Sequence, residues 1–205
     1  MFLALVAALG GVLAGFLLLH DSRAPSLDRP TPPGLLSDRR PLTPFQLVDQ
    51  NSQPFDLDRL RGRWTFLFFG YTHCPDICPA TLSLMGTVSK LAREAGVPPQ
   101  EVQIVFVTVD PARDTPTRLA EYVGYFGRDF LALSGPLQDL NRLTRQLGIL
   151  HYRAEPDARG DYLVDHTAGV LLIDPKARWA GLFGPPHEAR DITDRFLRIR
   201  ALPGG

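Results

Sequence analysis

Two cysteines, Cys74 and Cys78, are the residues of this chain best suited to redox or metal chemistry, and they are its only cysteines. They lie in the stretch FLFFGYTHCPDICPATLSLM, with a proline after each and three residues between them. Cysteines at this spacing can bring both sulfurs to one side of a helical turn. Such a pair can form a disulfide, or its two thiolates can chelate a soft ion such as Cu(I), with zinc as a second option. Redox loops of the CxxC type are one residue shorter, so the pair is either a lengthened redox loop or two ligands of a metal site that needs a third.

The position of Cys78 predicts a reactive thiol. Pro79 is suited to the first position of a helix, where its missing N–H is not needed, and this places Cys78 at the helix cap. Unpaired N–H groups and the positive end of the helix dipole then lie nearby. Both lower the pKa of a thiol and favour the thiolate, which is the form that attacks disulfides and binds metals.

A third ligand has five histidine candidates in the sequence: His20, His73, His151, His166 and His187. We expect His20 and His187 to be solvated and His151 to have a surface role. The side chain of His73 should point away from that of its neighbour Cys74 in an extended loop. His166 lies in YLVDHTAGVLLID, at the entrance of a buried strand. On spacing alone, a structural histidine and a metal ligand fit this position equally well.

Hydrophobic patterns predict the elements that must position these residues. Apolar runs predict strands at residues 45–49, 55–57, 64–69, 102–109, 130–133, 170–173 and 179–182. Apolar residues at helical spacing predict helices at residues 79–95, 115–126, 137–147 and 192–199. Strands alternate with helices and are followed by a strand pair and a last helix. This order predicts an α/β sandwich whose central sheet has mixed strand directions.

Asp110 marks a second place where chemistry is expected. The cysteine loop follows the predicted strand at 64–69, and Asp110 follows the one at 102–109. Ligands collect beyond the carboxyl ends of the strands in such sheets, so these two loops should meet. This meeting of two loops is where we expect the chemistry of the protein to take place. Arg113 and Asp114 are expected to pair with each other or to cap locally.

The N-terminal segment predicts a membrane anchor. The first 19 residues, MFLALVAALGGVLAGFLLL, carry no charged side chain, and about 20 apolar residues are needed to cross a bilayer core. We therefore expect one transmembrane helix at residues 1–20, with a cleavable signal peptide as the alternative. Residues 21–42 are polar and proline-rich, which predicts a spacer, and a folded domain is expected at residues 43–201.

The charge composition gives no sign of a nucleic-acid partner. The 205 residues include 22 Lys and Arg and 22 Asp and Glu, without a basic run. A protein that binds nucleic acid through its phosphates needs a clustered basic face. The apolar content of 44% predicts instead an ordinary globular domain with a sizeable core.

Three motifs, in this order, resemble the signatures of the Sco/SenC family of thioredoxin-fold copper proteins: GYTHCPDICPATL, TVDPARDTP and YLVDHT. The resemblance covers the predicted domain and implies a thioredoxin-like sandwich that binds copper as Cu(I) or Cu(II). Carried over position by position, it implies that Cys74, Cys78 and His166 are the copper ligands. It also implies that Asp110 lies near the metal and influences copper binding without being a principal ligand. Asp110 would then accept a hydrogen bond that orients a ligand or a neighbouring loop, with capping of the turn before the next helix as the alternative. One departure is the turn after LIDP, which reads KAR where a glycine is expected.

The resemblance implies a metallochaperone that helps to assemble the dinuclear copper centre of cytochrome c oxidase. Its implied partners are the copper-binding subunit of the oxidase and an upstream periplasmic copper donor. Its implied location is the bacterial inner membrane, as a single-pass protein with its domain in the periplasm. The mitochondrial inner membrane, with the domain in the intermembrane space, is the alternative. The arginines that follow the anchor oppose this orientation, because positive charges favour the cytoplasmic side.

The same residues allow other functions. A thiol–disulfide oxidoreductase that keeps the copper-site cysteines of the oxidase reduced would use one cysteine to attack and the other to resolve the mixed disulfide. In that protein His166 would be dispensable. A peroxiredoxin-like peroxidase is a weaker variant, since it needs an activated cysteine but no distant histidine. A purely structural disulfide is disfavoured, because so short a loop adds little stability.

Overall fold

The computed structural model describes residues 33–202. Within this range the chain forms ten β-strands and four α-helices. The strands are β1 (Leu35–Pro41), β2 (Leu47–Asp49), β3 (Pro54–Phe55), β4 (Trp64–Gly70), β5 (Val102–Thr108), β6 (Leu131–Ser134), β7 (His151–Arg153), β8 (Val164–His166), β9 (Val170–Ile173) and β10 (Arg178–Phe183). The helices are α1 (Ile77–Glu94), α2 (Pro116–Phe126), α3 (Leu137–Gln146) and α4 (Ala189–Arg200). The predicted anchor at residues 1–20 lies outside the described residues, and no helix at residues 33–202 is long and apolar enough to span a bilayer.

Eight of the strands form one sheet in the order β1-β10-β9-β4-β5-β6-β2-β3. β4 pairs with β5, and β5 with β6, in parallel, whereas the other neighbours are antiparallel. Helix α1 connects the first parallel pair and α2 the second, because parallel neighbours need a crossover connection. The predicted α/β sandwich with a mixed central sheet is confirmed.

The central strand β4 is buried along its whole length, which gives the cysteine loop a rigid base. All seven of its residues are buried, and a strand covered on both faces has a continuous apolar sequence rather than an alternating one. Phe196 of α4 packs against Trp64 and Phe66 of this strand, with ring centroids 5.7 and 5.1 Å apart. Edge-to-face aromatic contacts of this kind add to the stabilisation from buried area.

Strands β4 and β5 end at the same edge of the sheet. Gly70 pairs with Thr108 in the parallel ladder, and the N–H of Val109 donates to the carbonyl of Gly70 over 2.8 Å. The cysteine loop leaves β4 at this point, and Asp110 follows β5 two residues after its end. The two loops are therefore adjacent at the carboxyl ends of the strands, as expected for such a sheet.

The remaining strands, β7 and β8, form a separate two-stranded sheet, here named the ribbon (residues 151–166). His151 lies opposite His166 in the antiparallel register, and Tyr152 lies opposite Asp165. The sequence did not predict the ribbon, because each strand is only three residues long and lacks the alternating apolar pattern of a half-buried strand.

Strand β1 extends the sheet into a region predicted to be a spacer. Residues 35–41, within the predicted spacer at 21–42, pair antiparallel with β10 at the edge of the sheet. Leu35 packs against the core, and Arg39 forms an ion pair of 3.5 Å with the buried Asp174. This strand was not predicted because the stretch is polar. An edge strand can be held mainly by backbone pairing, so it tolerates charged residues and proline.

The turn between β9 and β10 forms without the glycine that the family resemblance leads one to expect. Ala177 adopts a left-handed φ of 55°, a conformation that costs an L-residue about 1–2 kcal/mol. The buried carboxylate of Asp174 accepts hydrogen bonds from the N–H groups of Lys176 and Arg178, over 2.9 and 3.1 Å. These bonds hold the turn, so the hairpin is kept despite the alanine.

Candidate metal centre

The cysteine loop turns directly into helix α1. The helix begins at Ile77, so Cys78 is its second residue and Asp76 is the capping residue. The predicted start at Pro79 is therefore two residues late. A proline is accepted throughout the first turn, because the N–H groups there have no acceptor within the helix.

The two sulfurs face each other across the first turn of α1. The N–H of Cys78 donates to Sγ of Cys74 over 3.4 Å, and the N–H of Cys74 donates to the carbonyl of Tyr71 over 3.2 Å. Both cysteines are free thiols; Cys78 is buried and Cys74 is half-buried. Cys74 is therefore the more accessible of the two residues.

His166, at the end of β8, completes a cluster with the two thiols. Its Nε2 lies 3.3 Å from Sγ of Cys78, and its Nδ1 lies 3.2 Å from the carbonyl of Thr167. A carbonyl can only accept, so Nδ1 carries the proton and Nε2 presents its lone pair to the thiol. The rings of Phe68 and Tyr71 meet the imidazole edge-on, each with its centroid 6.0 Å away.

The cluster has the dimensions of a metal site. One ligand atom from each of Cys74, Cys78 and His166 lies within 4.8 Å of the other two. Two thiol sulfurs and one neutral imidazole nitrogen form a soft donor set, which suits Cu(I) and can also bind zinc. The residues present therefore fit a copper ion by number, type and proximity.

The environment of Cys78 raises the pKa of its thiol, opposite to the direction expected from the sequence. Burial raises the pKa of this thiol well above its ordinary value of 9.0, and neighbouring Cys74 and Asp114 raise it further, against a hydrogen bond with the backbone of Tyr71. The lowered pKa expected from the helix N-terminus is therefore wrong. Desolvation of the charged thiolate outweighs the helix dipole when a side chain is fully enclosed.

The imidazole of His166 is kept neutral by the same enclosure. Burial lowers its pKa from the ordinary value of 6.5, although the hydrogen bond to Thr167 opposes this effect. A neutral imidazole is the form that binds metals. At neutral pH the metal-free site thus contains an uncharged thiol beside an uncharged imidazole.

Asp110 lies in the loop after β5, and its carboxylate bonds to the ribbon. Its Oδ1 accepts from the hydroxyl of Tyr162 over 2.9 Å, and its Oδ2 accepts from Nε of Arg113 over 2.5 Å. The backbone carbonyl of Asp110 accepts from the N–H groups of Arg113 and Asp114. The carboxylate therefore contacts a neighbouring loop, one of the alternatives considered from the sequence, and its backbone closes the turn after β5.

Asp114 is a buried residue of the site that sequence reasoning missed. Its side chain is fully enclosed and accepts from the hydroxyls of Thr72 and Thr108, each over 2.6 Å, and from the N–H of Thr72 over 3.1 Å. Of the two roles expected from the sequence, pairing of Asp114 with Arg113 is not found, because Arg113 pairs with Asp110. A local role is found, since the N–H of Asp114 donates to the carbonyl of Asp110. Asp114 ties the start of the cysteine loop to the end of β5. The available indication in the sequence was a pair of threonines near the strand ends, Thr72 after β4 and Thr108 at the end of β5.

The other described histidines lie around the cluster. Nδ1 of His73 is 3.2 Å from the hydroxyl of Thr72, and the side chain is 38% exposed. His151 is half-buried on β7, opposite His166. Nε2 of His187 donates to the carbonyl of Ala168 over 2.8 Å, and its half-buried side chain corrects the expectation of a solvated one. His20 lies outside the described residues.

Comparisons with known sequences match the chain to one protein family. A family model described as SCO1/SenC matches residues 36–200. A Stutzerimonas stutzeri protein named as copper-binding is 41% identical over 156 residues, which cover 74% of this chain and 73% of that protein. The mitochondrial SCO2 homologue of Bos taurus is 36% identical over 158 residues, which cover 77% of this chain but only 59% of the bovine protein.

Solved structures with the same fold include three that contain copper, among them those from Arabidopsis thaliana and yeast. Arabidopsis thaliana ScoI with copper bound has a TM-score of 0.72 and 32% identity, and the match covers 77% of this chain and 96% of that one. Yeast Sco1 with copper bound has a TM-score of 0.72 and 28% identity, over 80% of this chain and 92% of that one. The fold of this chain is accordingly thioredoxin-like, as the three sequence motifs imply.

Proposed function

This chain belongs to the SCO1/SenC family, and we propose that it is a copper-binding metallochaperone which helps to assemble the dinuclear copper centre of cytochrome c oxidase. The observation that carries this proposal is the 3.3 Å contact between Sγ of Cys78 and Nε2 of His166, with Cys74 completing a cluster within 4.8 Å. Motifs far apart in the sequence meet at this contact, in the combination that a soft metal ion requires.

Copper is the cargo of the proposed reaction, and Cys74, Cys78 and His166 hold it. Two thiolates and one imidazole satisfy Cu(I) as a three-coordinate set, and an added oxygen ligand lets the same set hold Cu(II). Thiols bind metals as thiolates, so loading displaces the proton of Cys78 and that of Cys74. His166 needs no deprotonation, because Nε2 already presents a lone pair.

The site is open enough for direct handover to another protein. A groove of about 330 Å³ runs beside the cluster, lined by Cys74, Ile77, Leu163 and their neighbours. Ile77 and Leu163 are 39% and 56% exposed, so apolar side chains border the half-buried sulfur. Transfer by exchange of one thiolate at a time needs this kind of access, which a closed cage would deny.

The proposed partners and location follow from the same function. The acceptor is the copper-binding subunit of the oxidase, and an upstream periplasmic donor supplies the copper. Residues 1–20 would anchor the chain in the bacterial inner membrane, with the copper domain in the periplasm. The corresponding mitochondrial location, facing the intermembrane space, is the alternative.

A thiol–disulfide oxidoreductase acting on the cysteines of the oxidase is the second candidate. It is favoured by the two free thiols and by the exposure of Cys74 relative to Cys78. The Cys74 thiolate would attack the substrate disulfide and release one substrate thiolate. Cys78, after losing its proton, would then attack Sγ of Cys74 and release the second. The substrate disulfide gains two electrons, and this chain ends as a disulfide.

The experiment that tests both functions is a Cu(I) titration of the reduced, full chain against a competing chelator without oxygen. We expect one equivalent to bind, binding to be lost in the Cys74→Ser/Cys78→Ser variant, and affinity to fall more than about tenfold in His166→Ala. Even groups that only orient metal ligands contribute about 10–100-fold. His151→Ala is the matched control, because that histidine lies opposite His166 on the ribbon. Unchanged affinity in His166→Ala, together with fast reduction of a disulfide substrate, would reject the metallochaperone in favour of the reductase.

A further inference from the structure

The ribbon that carries His166 does not pair with the main sheet, so beyond its chain connections its position beside the thiols depends on side-chain contacts. Side chains of an extended segment alternate between its two faces. Val164 is buried and His166 is half-buried, whereas Leu163 and Asp165 between and beside them are exposed. Tyr162 shares the inward face with Val164 and His166, and it is itself half-buried.

Tyr162 is held by three charged side chains. Its hydroxyl donates to Oδ1 of Asp110 over 2.9 Å. The guanidinium carbon of Arg113 lies 3.5 Å from the ring centroid, and that of Arg153 lies 3.8 Å from it. Two guanidinium groups at these distances cannot share one face, so the ring lies between them in a double cation–π stack. Tyr162, Asp110, Arg113 and Arg153 are here named the tyrosine clamp.

The tyrosine clamp joins the ribbon to the body of the protein. Tyr162 and Arg153 belong to the ribbon, whereas Asp110 and Arg113 lie in the loop after β5. Asp110 is only 5% exposed, and its N–H donates to the hydroxyl of Thr108 over 2.9 Å. Burial and the Asp110 carboxylate raise the pKa of Tyr162, so its hydroxyl remains a donor. The body side of the clamp is thereby fixed to the strand beside the cysteine loop.

We propose that the tyrosine clamp sets the position of the ribbon and so holds Nε2 of His166 within reach of the two thiols. Tyr162 is then a positioning residue for copper, four residues before the ligand and on the same face. Asp110 acts on the metal through Tyr162 and the ribbon, not through a bond to a ligand. The effect on copper rests on the proposed function, whereas the effect on the ribbon does not.

The copper arm of the test is a double-mutant cycle in the full chain. Tyr162→Ala and Tyr162→Phe are introduced alone and together with His166→Ala, and Cu(I) affinity is measured against a competing chelator. We expect Tyr162→Ala to weaken binding about tenfold, the lower end of the loss typical when a group that orients a ligand is removed. Tyr162→Phe, which removes only the hydroxyl, should have a smaller effect. Neither substitution should weaken binding further in the His166→Ala background, because the ligand they position is already gone.

Tyr152 provides a matched control on the same ribbon. It is 64% exposed and lies opposite Asp165, on the outward face, so Tyr152→Ala should leave Cu(I) affinity unchanged. An equal loss in Tyr152→Ala, or a loss from Tyr162→Ala that persists without His166, would overturn the positioning role. The Tyr162→Phe arm decides the question if Tyr162→Ala does not fold.

The second readout needs no metal and separates this inference from the proposed function. Amide hydrogen exchange of the metal-free chain should be faster at residues 151–153 and 164–166 in Tyr162→Ala than in wild type or in Tyr152→Ala. Unchanged exchange in the ribbon would reject the clamp even if the wild type binds copper. If the wild type binds no copper but the ribbon loosens, the clamp stands and the proposed function fails.

Discussion

Sγ of Cys78 lies 3.3 Å from Nε2 of His166, although 88 positions separate the two residues in the chain. The thiol has a raised pKa and the imidazole a lowered one. The metal-free pair is therefore a neutral S–H group that donates to a neutral ring nitrogen, and not a thiolate beside an imidazolium. A metal that binds here takes the place of the shared proton.

We expect the metal-free protein to lose stability as the pH rises past the ordinary thiol pKa of 9.0. Above that value the Cys78 thiol ionises in the unfolded chain but stays protonated in the folded one. The free energy of unfolding then decreases by about 1.4 kcal/mol per pH unit. Denaturant unfolding of the reduced chain between about pH 8 and pH 10 measures this slope. Cys78→Ala should remove it and Cys74→Ala should keep it; a slope that survives in Cys78→Ala has another source.

His166 should titrate below its ordinary pKa of 6.5 in the metal-free protein, because burial disfavours the imidazolium. As the pH falls through 6.5, the unfolded chain takes up this proton before the folded chain does, so stability decreases with acidification. An NMR titration of the histidine ring protons, with the resonance assigned by its absence in His166→Gln, gives the midpoint. A midpoint at or above the ordinary value would contradict the enclosed, neutral ring.

Asp114→Asn should destabilise the fold by about 2–4 kcal/mol. Three hydrogen bonds converge on this buried carboxylate from Thr72 and Thr108. Bonds to a charged group contribute about 1.5–3 kcal/mol each, and an amide presents donors to partners that also donate. Urea denaturation of the full chain measures the loss. Asp191→Asn is the control, since the side chain of Asp191 is 44% exposed and its pair with Arg195 on α4 should contribute less than about 1 kcal/mol. Equal effects would mean that burial of Asp114 does not matter.

Gly70→Ala should disturb the metal centre directly. A Cβ at Gly70 would lie 2.7 Å from Sγ of Cys78 and 2.8 Å from Cε2 of Phe106, so the sulfur or the ring must move. Overpacking of this kind costs about 1–3 kcal/mol, and displacement of the sulfur should also weaken Cu(I) binding. Both are measured by denaturation and by titration against a chelator.

Gly124→Ala is the matched control for this substitution. Gly124 lies in helix α2, and a Cβ there meets no atom within 4 Å. Alanine in place of glycine inside a helix stabilises it by about 0.5–1 kcal/mol. A Gly70→Ala variant as stable as Gly124→Ala, with unchanged copper affinity, would show that the pocket around Cys78 is not tightly packed.

The framework of the fold could be predicted from the sequence because its signals are local. β4 and β5 are continuous apolar runs, and the four helices have apolar residues at helical spacing. The cysteine pair was evident for the same reason. His166 was different: spacing left it undecided, and only the resemblance of the YLVDHT motif indicated a ligand. Its contact with Cys78 depends on the ribbon, whose short and partly exposed strands leave no periodic pattern.

The direction of the Cys78 pKa shift and the partners of two buried or half-buried polar side chains depend on tertiary packing, which the sequence does not reveal. The pKa of Cys78 was predicted from its place at a helix start, but the direction of the shift is set by complete enclosure under neighbouring elements. The roles of Asp114 and Tyr162 were not predicted, because their partners are distant in the sequence. Asp114 bonds to Thr72 and Tyr162 bonds to Asp110, each more than forty positions away. Such polar contacts follow from tertiary packing and have no period along the chain.

The main sheet and the ribbon carry different ligands of the metal centre. Both sulfurs lie in the body of the domain, just after the buried strand β4, whereas the imidazole of His166 belongs to the ribbon. Moving the ribbon breaks no pairing within the eight-stranded sheet, so we expect the third ligand to leave with less disturbance of the fold than either sulfur. Substitutions in the ribbon should therefore change the residence time of the copper with little effect on the melting temperature, whereas substitutions beside the sulfurs, such as Gly70→Ala, should change both.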